Sequence, residues 1–476
     1  MAAPKDGGWR GVVICQILGL MALMLIVYTL SGGSKLPMLG ALAVFAAILI
    51  ITKPVLVPYI FIASFFTAFR FYTGGFMFTV LVPDLMFLIV LFAFISRNRV
   101  DLKAAFAEHR HLLTILILFM LWSMVGFVVN FYSHTPFTNL TSAFFVFKIF
   151  QLITIIVLFS QPQWKPHKEK AIFFLVICAC FTIIAALGLK IFDGARSLSD
   201  FERMTGTLGD HHGALAIVMV LSFGVACGAY FTLKGRFQRL FSLYTGIACL
   251  GLLFISGSRS SMLGLMLAMP ATVLLGYRIK KNTLISLILS MCAAMAIFWL
   301  SPLKDVVFGV ISFQPDTVDL SAYGRLLIWE RVYEHALYGP WIQKIFGIGI
   351  GTFNTLQFNY YLEVGTFTTG AHNNFMTPFV ETGIVGLVLW LAIFIEIVRR
   401  LIIRSRYGDN AARCFLVATL ALLFSCITQE TFWPNTSFGR FWLLYMLFYV
   451  MMSKCSIERV NMFQAGKYRQ LETQEL

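Results

Sequence analysis

Charged side chains are scarce in this sequence. Asp, Glu, Lys and Arg make up 12% of its 476 residues, whereas hydrophobic residues make up 59%. Soluble domains carry about 25% charged residues, so the composition excludes a soluble globular protein. The sequence predicts an all-α polytopic membrane protein.

Cysteine pairs at metal-binding or redox spacing are also lacking. The nine cysteines include no CxxC pair, and none lies in residues 301–371. A disulfide framework and a zinc site are therefore not predicted, and we expect neither a metal nor a cofactor. The sequence also shows no internal repeat and no linker that would separate a soluble domain.

Apolar runs of bilayer-spanning length follow one another along the chain. They predict about fourteen helices, or about twelve if adjoining or short runs are miscounted. The first run lacks a small-residue cleavage site, so we expect it to remain as a helix. The runs lie at about residues 11–30, 36–52, 54–72, 76–96, 111–131, 143–161, 171–190, 213–233, 239–257, 260–277, 282–300, 374–398, 413–428 and 436–453.

These runs divide the chain into four predicted regions. An N-terminal bundle of about eleven helices precedes one long loop with amphipathic helical spacing, and further spans lead to a tail. The regions are residues 1–300, 301–371, 372–453 and 454–476.

Basic residues concentrate in alternate connections between the runs. Because such loops stay in the cytoplasm, both termini are predicted to be cytoplasmic and residues 301–371 are predicted to face away from the cytoplasm. The net charge of +15 is then explained by loops beside anionic lipid, without nucleic acid. The basic connections include Arg97, Arg99, Lys103, Arg110, Lys165, Lys168, Lys170, Lys234, Arg236, Arg239, Arg278, Lys280, Lys281, Arg399, Arg400, Arg404, Arg406 and Arg413.

Three arginines lie where spans meet the side of the membrane that is predicted to face away from the cytoplasm. Arg203 precedes a span with Asp210 and His211 at its mouth, Arg259 lies between two spans, and Arg325 begins an amphipathic stretch. Guanidinium groups match phosphate oxygens with paired hydrogen bonds, so a diphosphate would satisfy all three. The alternative is that each arginine extends to lipid headgroups or pairs with a loop carboxylate.

Two opposite charges lie inside predicted spans at similar depth. Asp84 and Lys148 are each about six residues, or roughly 9 Å, from the outer surface. A structural ion pair is the favoured interpretation, and Lys148 as a further phosphate ligand is the alternative.

His372 and Glu381 lie where the chain re-enters the membrane. A histidine can act as a base and take a proton from a hydroxyl group. Because the ordinary pKa of the imidazole is about 6.5, the rate of a reaction that uses His372 as its base would fall below that pH. A histidine at an interface can instead be a hydrogen-bonding group. Glu381, an acid embedded in the membrane, is predicted to be catalytic, with pairing to an arginine as the alternative.

Four motifs together resemble one family. The segments SGSRSSMLG, GRLLIWERVYEHAL, GIGIGTF and AHNNFMTPFVETGIVGL are similar to successive motifs of the O-antigen ligase and polymerase superfamily. The resemblance covers about Arg203 to Leu391, and the first half of the chain matches only in its hydrophobicity.

The resemblance implies a metal-independent, inverting glycosyltransferase of the bacterial inner membrane, with a GT-C-like fold and an active site at the periplasmic face. Its donor would be an undecaprenyl-diphosphate-linked glycan, and its acceptor a lipid or lipid-linked saccharide, with a chain-length regulator as a further partner. It implies that Arg259 and Arg325 bind the diphosphate, that Arg203 assists, and that His372 positions or deprotonates the acceptor.

The span count and the DHH sequence at 210–212 favour a polymerase, for exopolysaccharide, capsule or O-antigen, over a ligase that uses lipid A core. A transporter or flippase is an alternative of another class, in which Asp84, Lys148 and Glu381 would be coupling groups. Its expected inverted repeats are not evident in the sequence.

The predicted topology can be tested with reporter tags. Tags at positions 105, 166 and 408 should report cytoplasm, and tags at 205, 315 and 365 should report periplasm, because basic loops stay inside. A cytoplasmic signal from 315 and 365 would contradict the predicted orientation.

Overall fold

The computed structural model describes residues 57–66, 70–72, 79–81, 84, 87–88, 90–91, 101–161, 168–192, 212–256, 258–276, 320–353, 370–429, 431–433 and 439–453. Within these ranges the chain forms the α-helices named next, a 3-10 helix at Phe131–Ser133 and one two-stranded sheet, and residues 84, 87–88 and 90–91 are also helical. The helices are α1 (Val57–Phe65), α2 (Leu102–Asn130), α3 (Pro136–Phe159), α4 (Lys168–Phe192), α5 (His212–Thr232), α6 (Arg236–Ile255), α7 (Arg259–Gly276), α8 (Leu320–Tyr338), α9 (Trp341–Phe346), α10 (Met376–Arg406), α11 (Asn410–Ser425) and α12 (Gly439–Ser453).

Six of these helices are long and apolar enough to cross a membrane: α2, α3, α4, α5, α6 and α10. Two shorter apolar helices, α7 and α11, pack among them. The predicted class of polytopic helical membrane protein is confirmed. The runs predicted at about 11–30, 36–52 and 282–300 lie outside the described residues, so the total of twelve to fourteen stays a prediction.

The region after α1 differs from the predicted continuous spans at 54–72 and 76–96. Helix α1 ends at Phe65, and strands β1 (Arg70–Tyr72) and β2 (Thr79–Leu81) pair antiparallel, with Phe71 opposite Val80. The sequence between the strands contains Gly74 and Gly75, which favour a turn. Hydropathy alone does not distinguish such a hairpin from the ends of two spans.

Helices α2 and α10 run antiparallel and define the two ends of the bundle. At one end Arg400 Nη1 donates to the carbonyl of Glu108 (2.7 Å), and at the other Trp122 Nε1 donates to the carbonyl of Thr382 (2.9 Å). Most of the described basic residues lie at the first end, which is here called the basic end. The start of α10 and the end of α2 therefore lie together at the opposite end.

Small residues let α7 and α11 approach closely. A Cβ on Gly264 would lie 2.3 Å from the carbonyl oxygen of Ala421, and one on Gly224 in α5 would lie 2.5 Å from the Cβ of Ala418. Close approach through small residues is a usual way to pack helices in a bilayer, where water expulsion contributes little. This packing fixes α7, and with it the backbone of Arg259 at its first position, against the bundle.

The helical spacing of α8 predicts an apolar face of Leu326, Trp329, Val332, Tyr333 and Ala336 that lies on the bundle or on the membrane surface. Val332 is buried together with Ile328 against Ile348, Phe353 and Val380, and Trp329 packs beside them. Leu326 and Tyr333 are exposed. The start of α10 and the loop after α9 form the surface that selects the buried face, and sequence spacing does not reveal that surface.

Candidate functional site

A buried carboxylate organises the end of the bundle where α10 begins. Glu381 is 1% exposed, and its Oε2 accepts hydrogen bonds from the backbone N–H of Gly351 (2.7 Å) and from Trp433 Nε1 (2.8 Å). Its Oε1 accepts from the N–H of Phe353 (3.1 Å). Hydrogen bonds from N–H groups compensate for removing a carboxylate from water. Glu381 thereby joins three separate segments of the chain.

The segment from Gly347 to Phe353, here called the GIG loop, crosses α10 at very short range. Its backbone N–H groups at Ile348 and Gly349 donate to the carbonyls of Val380 and Glu381 (2.9 and 3.0 Å). Helix α10 is kinked at Gly383, where φ is +69°. A Cβ on Gly383 would lie 2.0 Å from the carbonyl oxygen of Ile345, so the crossing requires glycine.

The end of α2 holds the same loop from the other side. Asn130 Nδ2 donates to the carbonyl of Gly347 (3.2 Å), and His134 Nε2 lies 2.6 Å from the carbonyl oxygen of Ile348. Trp122 stacks on Phe346 with 4.9 Å between ring centroids. The GIG loop is therefore fixed between α2 and α10.

His372 lies in a short segment with an unusual backbone conformation. Its φ is +51°, which a residue with a side chain seldom adopts. The neighbouring carbonyl of Ala371 accepts from Trp329 Nε1 (2.9 Å), and the N–H of Ala371 donates to Thr377 Oγ1 (2.9 Å). These two hydrogen bonds attach the segment to α8 and to α10, and they thereby set the position of His372 relative to both helices.

The two asparagines after His372 connect the segment to the bundle. Asn373 Oδ1 accepts from the N–H groups of Phe375 and Met376 (2.8 and 3.1 Å), as an N-terminal capping side chain does. The N–H of Asn374 donates to the carbonyl of Cys426 (2.9 Å), and its amide oxygen, oriented to satisfy its neighbours, accepts from Thr431 and Phe432. The sequence singled out this HNN motif without predicting these partners.

Arg325 and His372 interact electrostatically. Burial and, as the smaller cause, the positive charge of Arg325 together lower the pKa of His372 to about 4. The imidazole is therefore neutral at physiological pH. This places the guanidinium of Arg325 and the imidazole of His372, which are 47 positions apart, in one electrostatic environment.

Asp84 and Lys148 form the predicted ion pair. Lys148 Nζ donates to Asp84 Oδ1, and Gln151 Nε2 donates to the same oxygen (3.1 Å). Both charged side chains are buried, and Lys148 also lies 5.0 Å from the centroid of Phe144. Mutual neutralisation explains how two charges are accommodated inside the bundle.

The remaining predicted residues are less fully placed. Arg259 is the first residue of α7, and its side chain lies outside the described part of the structure. Arg203, Asp210 and His211 lie outside the described residues altogether. Among the residues that the structure does describe, no group of three His, Cys, Asp or Glu side chains could hold a metal ion.

Sequence reasoning missed several residues of this arrangement. Trp433, Trp122 and Asn130 each bind the α10 crossing or the GIG loop, yet they lie far from the motifs in the sequence. The spaced glycines of GIGIGTF and ETGIVG were a usable signal for a close backbone crossing. No local pattern around Trp433 indicates that it donates to Glu381.

The fold and site together define a class: a multi-pass helical membrane protein with an arginine and a neutral histidine at one end of its bundle. Residues 244–391 match a family model described as O-antigen ligase, and the match includes Arg259, Arg325, His372 and Glu381. This match supports placing the chain in the O-antigen ligase and polymerase superfamily, and it supports a function of that general type. A search of curated proteins found no match.

The role of Glu381 can be tested by Glu381→Gln. The amide has one acceptor oxygen where the carboxylate offers two, so at least one of the three N–H donors loses its partner. We expect a loss of about 2 kcal/mol in stability, because bonds to a charged acceptor contribute about 1.5–3 kcal/mol each. Thermal unfolding in detergent measures it, with the exposed Glu330→Gln on α8 as the control. Equal midpoints for both variants would contradict the structural role of Glu381.

Proposed function

We propose that this protein is a glycosyltransferase that polymerises or transfers a glycan carried on undecaprenyl diphosphate at the periplasmic face of the inner membrane. Arg325, with Arg259 and Arg203, binds the diphosphate. His372 contacts the acceptor hydroxyl. The alternative is a ligase, whose acceptor is lipid A core. The matching family is described as O-antigen ligase, which agrees with this alternative.

The observation that carries the proposal is the pairing of Arg325 with His372. A cation that binds phosphate and a neutral imidazole that accepts a proton are the two groups that transfer from a diphosphate requires. The electrostatic effect of Arg325 on His372 supports their closeness, and Trp329, one helical turn after Arg325, is bonded to the residue before His372. Both groups belong to the segment that resembles the family.

The proposed step balances as an inverting displacement. The oxygen of the acceptor hydroxyl forms a bond to the anomeric carbon while the bond from that carbon to the diphosphate oxygen breaks. The bonding electron pair leaves with undecaprenyl diphosphate, whose negative charge the arginines stabilise. The hydroxyl proton passes to His372 or, if His372 only orients the acceptor, to the departing diphosphate.

Glu381 has a positioning role in this proposal. Its two oxygens already accept from Gly351, Phe353 and Trp433, which makes it an anchor for the GIG loop instead of an acid or base. The Asp84–Lys148 pair is likewise assigned a structural role, because Lys148 is neutralised by its partner. Asp210 and His211 remain candidates for supporting contacts near Arg203.

The deciding experiment is transfer by the purified protein in liposomes. With a synthetic undecaprenyl-diphosphate oligosaccharide as donor, we expect release of undecaprenyl diphosphate and lengthening of the glycan, unaffected by a chelator. Lengthening without lipid A core indicates a polymerase, whereas transfer only when that core is added indicates a ligase. Solute transport without lipid turnover would favour the transporter alternative.

Arg325→Lys should impair transfer although the charge is kept. A lysine ammonium cannot make the two parallel hydrogen bonds of a guanidinium, so we expect a loss of about 2 kcal/mol, or about 30-fold, in kcat/KM. Arg259→Lys should behave similarly. Arg331→Lys is the matched control, because Arg331 lies on the same helix in an exposed ion pair with Glu334. Full activity of both Arg325→Lys and Arg259→Lys would contradict diphosphate binding.

Variants at His372 separate a base from an orienting group. If His372 takes the proton, His372→Ala should retain donor binding, seen as protection of residues 301–371 from proteolysis, while turnover falls by about 10²- to 10⁴-fold. His372→Gln keeps a hydrogen bond, and His372→Asn also tolerates the positive φ. Substantial turnover by either amide variant would show that His372 only orients the acceptor.

The pH dependence differs from the expectation based on an ordinary imidazole. Because the pKa of His372 is lowered to about 4, kcat/KM should stay level well below pH 6.5 and fall only as the pH approaches about 4. The unfolded chain takes up this proton near pH 6.5, so the free energy of unfolding decreases as the pH falls from about 6.5 to about 4. An inflection of kcat/KM near 6.5 that disappears in His372→Gln would contradict the lowered pKa.

A further inference from the structure

Helix α9 and the end of α8 expose a cluster of large apolar side chains. Tyr338, Trp341 and Ile342 are 83%, 77% and 60% exposed. Leu337 and Ile345 extend the same cluster and are also exposed. The five residues, here called the α8–α9 patch, are more apolar than a water-facing loop requires, and such patches mark interaction surfaces.

The end of α9 packs on the neighbouring transmembrane helix α2 before that helix ends. Helix α9 packs against α2 and α10, and Phe346 at its end stacks on Trp122. Trp122 precedes the last residue of α2, Asn130, by eight positions, which corresponds to about 12 Å along the helix. The end of α9 is therefore at the depth of the apolar part of α2 and not beyond its end.

The surface of α2 at this depth is itself apolar and exposed. Leu121, Met124, Val125 and Val128 are all exposed on a helix that is long and apolar enough to cross a membrane. On such a helix these side chains face lipid. Three residues of the patch, Trp341, Ile342 and Ile345, belong to α9, which packs on this helix.

Helix α8 descends towards the membrane in the same direction as the start of α10. Trp329 contacts Ala371, and one and a half turns later His335 lies 6.5 Å from Phe379 between ring centroids. The charged residues Glu330, Arg331 and Glu334 therefore lie farther from the bilayer than the patch does. Along α8 these three charged residues come before Leu337 and Tyr338, the patch residues that end the helix.

The composition of the patch is that of a membrane interface. Trp and Tyr concentrate at this level, and lysine can extend beside them. Lys344 Nζ donates to the carbonyl of Leu337 (2.8 Å) and lies 5.1 Å from the centroid of Trp341. Its ammonium group is thus hydrogen-bonded within the segment, which reduces the cost of placing it near lipid.

From this arrangement we infer that the α8–α9 patch is inserted in the headgroup and upper acyl region of the leaflet at the candidate-site end of the bundle. The occupant of this surface is bilayer phospholipid, and α9 is an interfacial anchor that fixes the height of α8 above the membrane. Arg325, near the opposite end of α8, is thereby held at a set distance from the lipid surface. The inference does not depend on which glycan or acceptor the protein uses.

Photocrosslinking from single positions tests the inference. The photoreactive residue p-benzoylphenylalanine is introduced at position 338, 342 or 330, one at a time, in the full chain. The protein is reconstituted in liposomes of radiolabelled phosphatidylethanolamine and phosphatidylglycerol. We expect several-fold more lipid adduct from 338 and 342 than from 330, the exposed position of Glu330 on the same helix.

Each other outcome would overturn the inference. Equal lipid labelling at 342 and 330 would mean that the patch is no closer to the bilayer than the charged part of α8. Adducts from 342 to a second copy of the chain would make the patch a protein interface. Because all positions are exposed, loss of folding is not expected to obscure the comparison, and unchanged glycan transfer by the labelled protein would confirm that it is folded.

Discussion

The hydrogen bonding of one buried carboxylate connects the parts of the molecule on which the candidate site depends. Glu381 satisfies N–H groups from the GIG loop and from Trp433, while its own backbone carbonyl accepts from Gly349. An ionised group at 1% exposure is tolerated only with such partners. The position of Glu381 in turn fixes the GIG loop, which has no regular secondary structure, against the helix bundle.

Close packing at glycine residues brings the GIG loop within hydrogen-bonding distance of the Glu381 carboxylate. The positive φ of Gly347 and Gly383 and the absence of Cβ atoms let the two backbones come into contact. The kink at Gly383 separates a short first part of α10, which supports His372 and packs on α8, from the longer part that enters the bundle. The site segment is therefore supported by a rigid transmembrane helix, and its restrained backbone at His372 suits a preorganised binding site.

The two ends of the bundle differ in how they treat charge. At the basic end, Glu396 accepts from both Arg399 and Arg400, and Arg404 pairs with Asp409, so these charges neutralise one another near water. At the site end, the positive charge of Arg325 acts on a neutral imidazole. Arg399, Arg400 and Arg404 are thus paired with carboxylates of the protein, whereas in the proposed function Arg325 binds the diphosphate.

The sequence by itself determined the membrane class, most of the described spans, the Asp84–Lys148 pair and the motifs that the family match includes. These features follow from local composition and periodicity, since a bilayer requires long apolar helices and makes each internal charge conspicuous. The sequence misjudged the hairpin at β1 and β2, because hydropathy alone does not distinguish a hairpin from the ends of two spans. Only the tertiary structure decided that Glu381 anchors a loop, that Trp433 and Asn130 take part, and that burial, with Arg325, lowers the pKa of His372. Those outcomes depend on contacts between segments distant in the chain, and no local pattern of residues specifies such contacts.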